Sequence, residues 1–228
     1  MDQVIEWDLA QAPVRQLNPF LHELNGQVSH VRVLNPQGRH NIAVGLDRPV
    51  HVEIMGHAGY FIGGMNKLAS VTVHGNVGWS VAENMMSGTV RVRGNASECA
   101  GASAHGGLLV IEKDASSRCA ISLKGADIVV GGSVGHLSAF MAQAGTLVVC
   151  GDAGPGLGDS LYEVVIYVRG QIEGLGADAR QEPLAEVDLI RLDELLDRAQ
   201  ITARPRDFKR IASARSLYHW HEDAQQEY

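Results

Sequence analysis

Ten histidines and a scatter of carboxylates are the first residues to test for chemistry. A metal centre needs three or four His, Cys, Asp or Glu side chains that converge. Acid–base catalysis needs a carboxylate or imidazole within hydrogen-bond reach of its partner. The chain carries a 19-residue repeat, and His57, His74, His105 and His136 fall at four different phases of it, so no metal-binding row is expected. Glu53, Glu83, Glu98, Glu112 and Asp127 are equally scattered, and no acid–base pair can be nominated. The cysteines Cys99, Cys119 and Cys150 form no C-x-x-C unit and cannot all pair within one chain; small buried thiols in a reducing compartment are expected. GDAGPGLGDS (151–160) is glycine-rich like a phosphate loop, but no Lys-Ser or Lys-Thr leading into a helix follows it. No G-x-S-x-G elbow is present. Near the end of the chain His219 and His221 flank Trp220. On a strand their rings would face one way and could ligate a metal; a docking or mobile tail is the other reading.

Composition narrows the classes. The formal net charge is −7 and there is no Lys/Arg run, which gives nucleic acid and anionic membranes no electrostatic support. No apolar stretch is long enough to cross a bilayer, and the beginning MDQVIEWDLA has no apolar signal core, so a cytoplasmic location is expected. There are 26 glycines and only 5% aromatics among 228 residues. Few large rings and many glycines describe a backbone that turns often and tightly rather than an ordinary globular core.

The elements that position everything else come from the repeat. Gly56, Gly75, Gly94, Gly132, Gly151 and Gly170 lie 19, 19, 38, 19 and 19 residues apart, with Lys113 in the missing register. Four and two residues before each register position stand Val52/Ile54, Val71/Val73, Val90/Val92, Leu109/Ile111, Ile128/Val130, Leu147/Val149 and Ile166/Val168. This period of two is a strand with one buried face. Seven residues after the register stand Gly63, Ala82, Gly101, Ala120, Ala139 and Gly158; one residue after it, polar turn residues dominate, from Asn76 to Asp152. A unit this short cannot bury its own strand face, so neighbours must stack. The spacing predicts an all-β, single-stranded right-handed β-helix of about seven 19-residue coils, roughly 30 Å long. A meander of antiparallel hairpins is the competing architecture, and it would need turn pairs that are absent. The Gly/Ala column is either a tight corner or a surface pressed against a partner or a tunnel.

Three segments follow: a helical extension over 1–29, the β-helix over 30–176, and a helical extension and tail over 177–228. Residues 13–26 read as helix, with Asn18 as cap, Pro19 at its first position and Gly26 ending it. Glu186 to Ile201 carries leucines at helical spacing, and a further helix is expected from Pro205, with Phe208 and Ile211 on one face.

Gly56-x-x-Gly59-x-x-x-Gly63 and Gly151-x-x-Gly154-x-x-x-Gly158, with Gly78 and Gly135 at the second position in other coils, resemble the GXGXG domain. This is the β-helix at the C-terminal end of the glutamate synthase large chain, similar also to the β-helical subunit of formylmethanofuran dehydrogenase. The segments GNVGWSVAENMMSGTVRVRGNASECAGASAHGGLLVIE (75–112) and SLKGADIVVGGSVGHLSAFMAQAG (122–145) look like the stand-alone version, in which the domains are split over three polypeptides as in N-methylglutamate synthase. The resemblance covers about residues 30–175, with the Tyr218-His219-Trp220-His221 tail as a weaker addition.

The resemblance implies a non-catalytic bridging subunit. The family's glutaminase-type (class II amidotransferase) domain has a nucleophilic cysteine at its mature N-terminus, which Met1-Asp2 does not supply. FMN and an iron–sulfur cluster are expected in a flavin-binding, glutamate synthase-like partner, and none in this chain. The small-residue column is then a candidate contact or passage surface. Two alternatives stay open: a formylmethanofuran dehydrogenase-type subunit, and a free-standing binding module, for which Tyr60 and Trp79 begin an aromatic row that Glu98 and Ser117 interrupt.

Overall fold

The computed structural model describes residues 4–24 and 28–216. Gly26 and the Tyr218-His219-Trp220-His221 tail lie outside the described residues. Strands recur every 19 residues, as the apolar period demands. They are β1 (Val4–Asp8), β2 (His30–Leu34), β3 (His51–Ile54), β4 (Ser70–Val73), β5 (Thr89–Val92), β6 (Leu108–Ile111), β7 (Lys124–Val130), β8 (Ala144–Val149) and β9 (Val165–Val168), followed by β10 (Ala179–Glu182) and β11 (Lys209–Ser213). β1 to β9 pair in sequence order, each parallel to the next. From β3 to β9 the register partners are 19 residues apart, apart from one shift between Lys124 and Asp127: Val52 faces Val71, Val71 faces Val90, Val90 faces Leu109. The fold is the expected right-handed β-helix of about seven coils, and the hairpin meander is excluded for this part of the chain. A second seam, one residue wide, runs along Val77, Ala96, Ala115, Val134, Ala153 and Ile172.

The third side of each coil is an unusual turn. Its backbone is left-handed at alternate residues, as at Ser80, Ala82 and Asn84 (φ 61°, 56° and 54°) or Arg118, Ala120 and Ser122 (φ 57°, 62° and 52°). Such a backbone sends its amides alternately up and down the axis. Ser80 N donates to Glu98 O of the next coil, Ala82 N to Ile62 O of the previous one, and Asn84 N to Ala102 O of the next. Left-handed residues cost about 1–2 kcal/mol each relative to right-handed ones, and the inter-coil bonds hold them in place.

The ends are closed by residues outside the repeat. Helix α1 (Val14–Glu23) buries Leu17 and Leu21 at the N-terminal end. It begins after Pro13, not at Asn18, and Pro19 lies inside it. Asn18 serves tertiary structure instead: its Nδ2 donates to Asn41 O (2.7 Å) and its Oδ1 accepts from Ala43 N (3.0 Å). The 1–29 segment is more than helical, because β1 extends the sheet. At the other end only Pro205–Asp207 is helical, as one short 3-10 turn. The expected helix there is β11, which runs antiparallel to β9 and carries β10 on its far side. The three-residue spacing of Phe208 and Ile211 spans two different structures: Phe208 closes the turn and Ile211 pairs with Ile166.

Helix α2 spans Glu186–Ala199. It lies against the outer face of the sheet, where Leu192, Leu195, Leu196 and Ala199 form a second core with Val110, Val129, Val148 and Tyr167. Burying each of those leucines stabilises the contact by about 1.5–3 kcal/mol. Asp188 fixes its start. One carboxylate oxygen accepts from Ala185 N (2.8 Å); the other accepts from Tyr167 Oη (2.6 Å) and Arg210 Nε (3.1 Å). Arg91 Nη2 donates to Ala199 O (2.9 Å) at its end, where the last carbonyls of a helix need donors.

Candidate functional site

The register glycines mark where coils touch backbone to backbone. A Cβ on Gly75 would lie 2.6 Å from Gly56 C, and one on Gly151 2.6 Å from Gly132 C. At the second motif position, a Cβ on Gly78 or Gly154 would lie 2.9 or 3.0 Å from the glycine carbonyl carbon one coil below, Gly59 or Gly135 respectively. The turn residue after each register position builds a side-chain ladder. His57 Nδ1 accepts from Asn76 N (2.9 Å), Asn76 Oδ1 from Asn95 N (2.9 Å), and Asn95 Oδ1 from Asp114 N (3.1 Å). Asp114 Oδ1 accepts from Ser133 N (2.8 Å), Ser133 Oγ from Asp152 N (2.9 Å), and Asp152 Oδ1 from Gln171 N (2.7 Å). These glycines and polar residues build the scaffold and are engaged in doing so.

Gly63, Ala82, Gly101, Ala120, Ala139 and Gly158 are all buried inside the coils. A Cβ on Gly63 would lie 3.1 Å from Val90 Cγ2; one on Gly101 would collide with Ile128 Cδ1 and lie 3.2 Å from Leu109 Cδ2. The molecule supplies its own control. Phe61 and Arg118, or Met65 and Met141, have the same left-handed backbone two residues to either side yet carry large side chains, because those positions face outward. Interior space, not backbone conformation, therefore limits the column to Gly and Ala. Corner and core packing occupies these six positions, and other columns form the outer surface.

Burial works against ionised thiols. It pushes the Cys119 thiol up to about 12, and it also raises Cys150 and Cys99, the latter helped by Glu98. A cluster or metal needs deprotonated thiols, and among the described residues no three His, Cys, Asp or Glu side chains converge as a metal site. Near the C-terminal end a groove is lined by Arg180, Arg210 and Arg215, but each is paired: Arg180 and Arg210 with Glu182, Arg215 with Glu163.

Two outward features remain. Rings of His40, Tyr60 and Trp79 stack coil on coil, with centroids 4.4 and 5.3 Å apart, so the aromatic row extends one residue further back than the repeat register shows. Tyr60 and Trp79 are 47% and 51% exposed, but within the row the rings face each other, and mainly edges are presented.

The second feature is the half of the sheet's outer face that α2 leaves open, over β2 to β5. Its centre is Glu53, whose Oε2 accepts from His30 Nε2 (2.8 Å) and Oε1 from His74 Nε2 (2.9 Å). The His51 ring stacks on His30 (4.8 Å), with its Nε2 3.3 Å from Thr72 Oγ1. Arg32 Nε lies 3.7 Å from Glu53 Oε2, and its Nη1 3.3 Å from Glu6 Oε1. Arg91 and Arg93 both meet Glu112 Oε1, at 2.9 and 3.2 Å. Burial pushes Glu53 up, but the bonds from His74 and His30 outweigh it and hold its carboxyl below the usual range. Burial, then repulsion from His30, lowers His51.

Reading the histidines by phase missed this group, because its contacts run diagonally. Each side chain reaches the residue two beyond its register partner: His30 to Glu53, His51 to Thr72, Glu53 to His74, Arg91 to Glu112. Diagonal neighbours on a sheet face are within reach of long side chains, and a test for pairs 21 residues apart would have found three of these four. The outward column was also legible, for it changes from Glu53, Thr72 and Arg91 to Val110, Val129, Val148 and Tyr167 where α2 docks.

No family profile and no solved structure matches the chain. It is 51% identical over 220 residues to "Protein GlxC" of Rhizobium meliloti (strain 1021), a match spanning 95% of this chain and 96% of that protein. At that identity and coverage, this β-helix belongs to the same protein family as GlxC.

Proposed function

We propose that this chain is the non-catalytic bridging subunit of a heteromeric glutamate synthase-like complex, and that the complex is N-methylglutamate synthase, which converts glutamate and methylamine to N-methylglutamate and ammonia. The partners are a glutaminase-like (class II amidotransferase) subunit and a flavin-binding, glutamate synthase-like subunit that holds FMN and an iron–sulfur cluster. One observation carries the reading: a coil stack phased by GXGXG glycines makes up the body of the chain, and the described residues before and after it are used to close its ends and cover half of one face. What such a body offers is a rigid outer surface. The relationship to GlxC, which spans nearly the full length of that protein, supports the reading of a subunit built around this β-helix.

Tagged chain expressed from its native locus tests this. It is expected to bring down a glutaminase-like and a flavin protein, and the complex is expected to form N-methylglutamate from methylamine. The chain purified alone should be colourless and inactive. Transferase or glutaminase activity of the isolated chain would overturn the scaffold role. Recovery of a partner set without a flavin protein would favour the formylmethanofuran dehydrogenase-type alternative.

A further inference from the structure

The open half of the sheet is balanced in charge, with Arg32, Arg91 and Arg93 against Glu6, Glu53 and Glu112. The outer side of α2 is not. The helix turns Leu192, Leu195 and Leu196 inward onto the sheet. Its opposite face carries Glu186, Ile190, Asp193 and Asp197, and their spacings of four, three and four set them in one line along a helix. Val187 and Ile190 are 70% and 55% exposed, and Val187 is the most exposed large apolar side chain among the described residues. Leu189 and Ile190 also line a groove of about 490 Å³ between α2 and the 3-10 turn, with Pro205 on its far wall.

The charges around this groove sort into pairs and a remainder. Arg191 meets Asp127 and Glu194, and Arg198 meets Asp127. Arg210 meets Glu182 and Asp188, and Arg180 meets Glu182. Arg204 meets Asp207. Within each group guanidiniums and carboxylates are equal in number. The remainder is Glu186, Asp193 and Asp197, all exposed and without an ion pair among the described residues, against the single unpaired guanidinium of Arg206. The groove therefore joins an apolar floor to an excess of negative charge.

We infer that the outer face of α2 and the groove beside it dock a basic segment of a partner subunit. That segment sets an apolar side chain between Leu189, Ile190 and Pro205 and brings lysines or arginines to Glu186, Asp193 and Asp197. Charge complementarity selects this occupant. A second copy of the chain brings a formal net charge of −7 and is repelled. The chain's own residues 217–228 carry Glu222, Asp223 and Glu227 and no Lys or Arg, so they are disfavoured as well. The surface is also preformed. Buried leucines hold the helix from below, Asp188 fixes its start and Arg91 its end, so little ordering is required when a partner arrives. The inference rests on the bridging reading and names the face that engages.

The test uses the tagged full chain and the partner subunits that co-purify with it, with dissociation constants read by biolayer interferometry. Ile190→Lys should weaken binding about tenfold or more, as withdrawing an isoleucine from a buried anchor does. The double variant Asp193→Lys, Asp197→Lys should weaken it strongly at low salt and less at high salt, where the charges are screened. Leu68→Lys alters a side chain that is 57% exposed on the coil stack and should bind as the wild type does. Urea midpoints of all three are expected to match the wild type, because the positions are exposed. Independently of these variants, p-benzoylphenylalanine placed at Val187 should photo-cross-link to a partner peptide in which Lys and Arg outnumber Asp and Glu. Wild-type affinity in Ile190→Lys, or in the double variant at low salt, overturns the inference. So does a Leu68→Lys variant as weak as Ile190→Lys, or a cross-linked peptide in which acidic residues predominate. A wild-type chain that brings down no partner overturns the bridging reading and this inference with it; partners retained equally by every variant overturn this inference alone.

Discussion

Gly101→Leu is the sharpest probe of the coil interior. Gly101 has a φ of 68°, a value that costs an L-residue about 1–2 kcal/mol. Ala82, Ala120 and Ala139 stand in the same column at φ 56–62°, so a Cβ is tolerable there when the neighbours fit it. At Gly101 they do not: the new Cβ meets Ile128 Cδ1 and Leu109 Cδ2, and three further carbons of leucine must enter the space those side chains fill. Overpacking of this kind costs about 1–3 kcal/mol. With the backbone cost the total is about 2–5 kcal/mol, roughly a 10 °C fall in melting temperature for a chain of this size. Ser103→Leu is the control, because Ser103 has a φ of 51° but faces outward and already bears the left-handed cost; its loss should stay within about 0.5 kcal/mol. Urea titration of both variants, with amide exchange at Leu109 and Ile128, reads the result. If Gly101→Leu were as stable as Ser103→Leu, the interior account of the column would be wrong. If it kept wild-type stability and lost only complex assembly, the column would be a partner surface after all.

Other outcomes follow from the same geometry. Asp114→Ala should cost about 1 kcal/mol, because the Ser133 amide loses its acceptor; Asp114→Asn should not, and exchange of the Ser133 amide distinguishes them. A thiol reagent should label Cys99 in the native chain and reach Cys119 and Cys150 only after unfolding; rapid native labelling of Cys119 would contradict its burial. Acid should weaken the fold in two stages. His51 and Glu53 both bind protons less readily folded than unfolded, so stability is complete above their ordinary values and is lost as pH falls through the lowered ones. The first loss begins below about pH 6.5 and the second below about pH 4.5. Glu53→Gln should shrink the second, and a urea midpoint that is flat from pH 7 to 4 would refute the argument.

The repeat was the part of the fold written most openly in the sequence, because a parallel in-register stack forces equivalent residues into one environment. The apolar pairs from Val52/Ile54 to Ile166/Val168 therefore could be read residue by residue. The ends could not. They are singular contacts, and local signals there pointed elsewhere: Asn18-Pro19 imitates a helix start but holds the first coil, and Phe208 and Ile211 imitate a helix face but belong to a turn and a strand. The polar column after each register position was recognisable as turn chemistry, whereas its continuity from His57 to Gln171 needed the stacking distance. The His30–Glu53–His74 group stayed hidden for two reasons. Its members sit off the vertical columns, and β2 and β3 are separated by 21 residues rather than 19.

A staircase of interchangeable steps cannot number itself: sliding one strand by a whole step would leave most neighbours looking alike. The change from Arg91 to Val110 along the outward column breaks that sameness, since α2 finds a greasy seat only from β6 upward, and Arg91 and Asp127 latch it there. The helix thus works as a pawl on a ratchet, giving an otherwise periodic chain one correct alignment and a definite top and bottom.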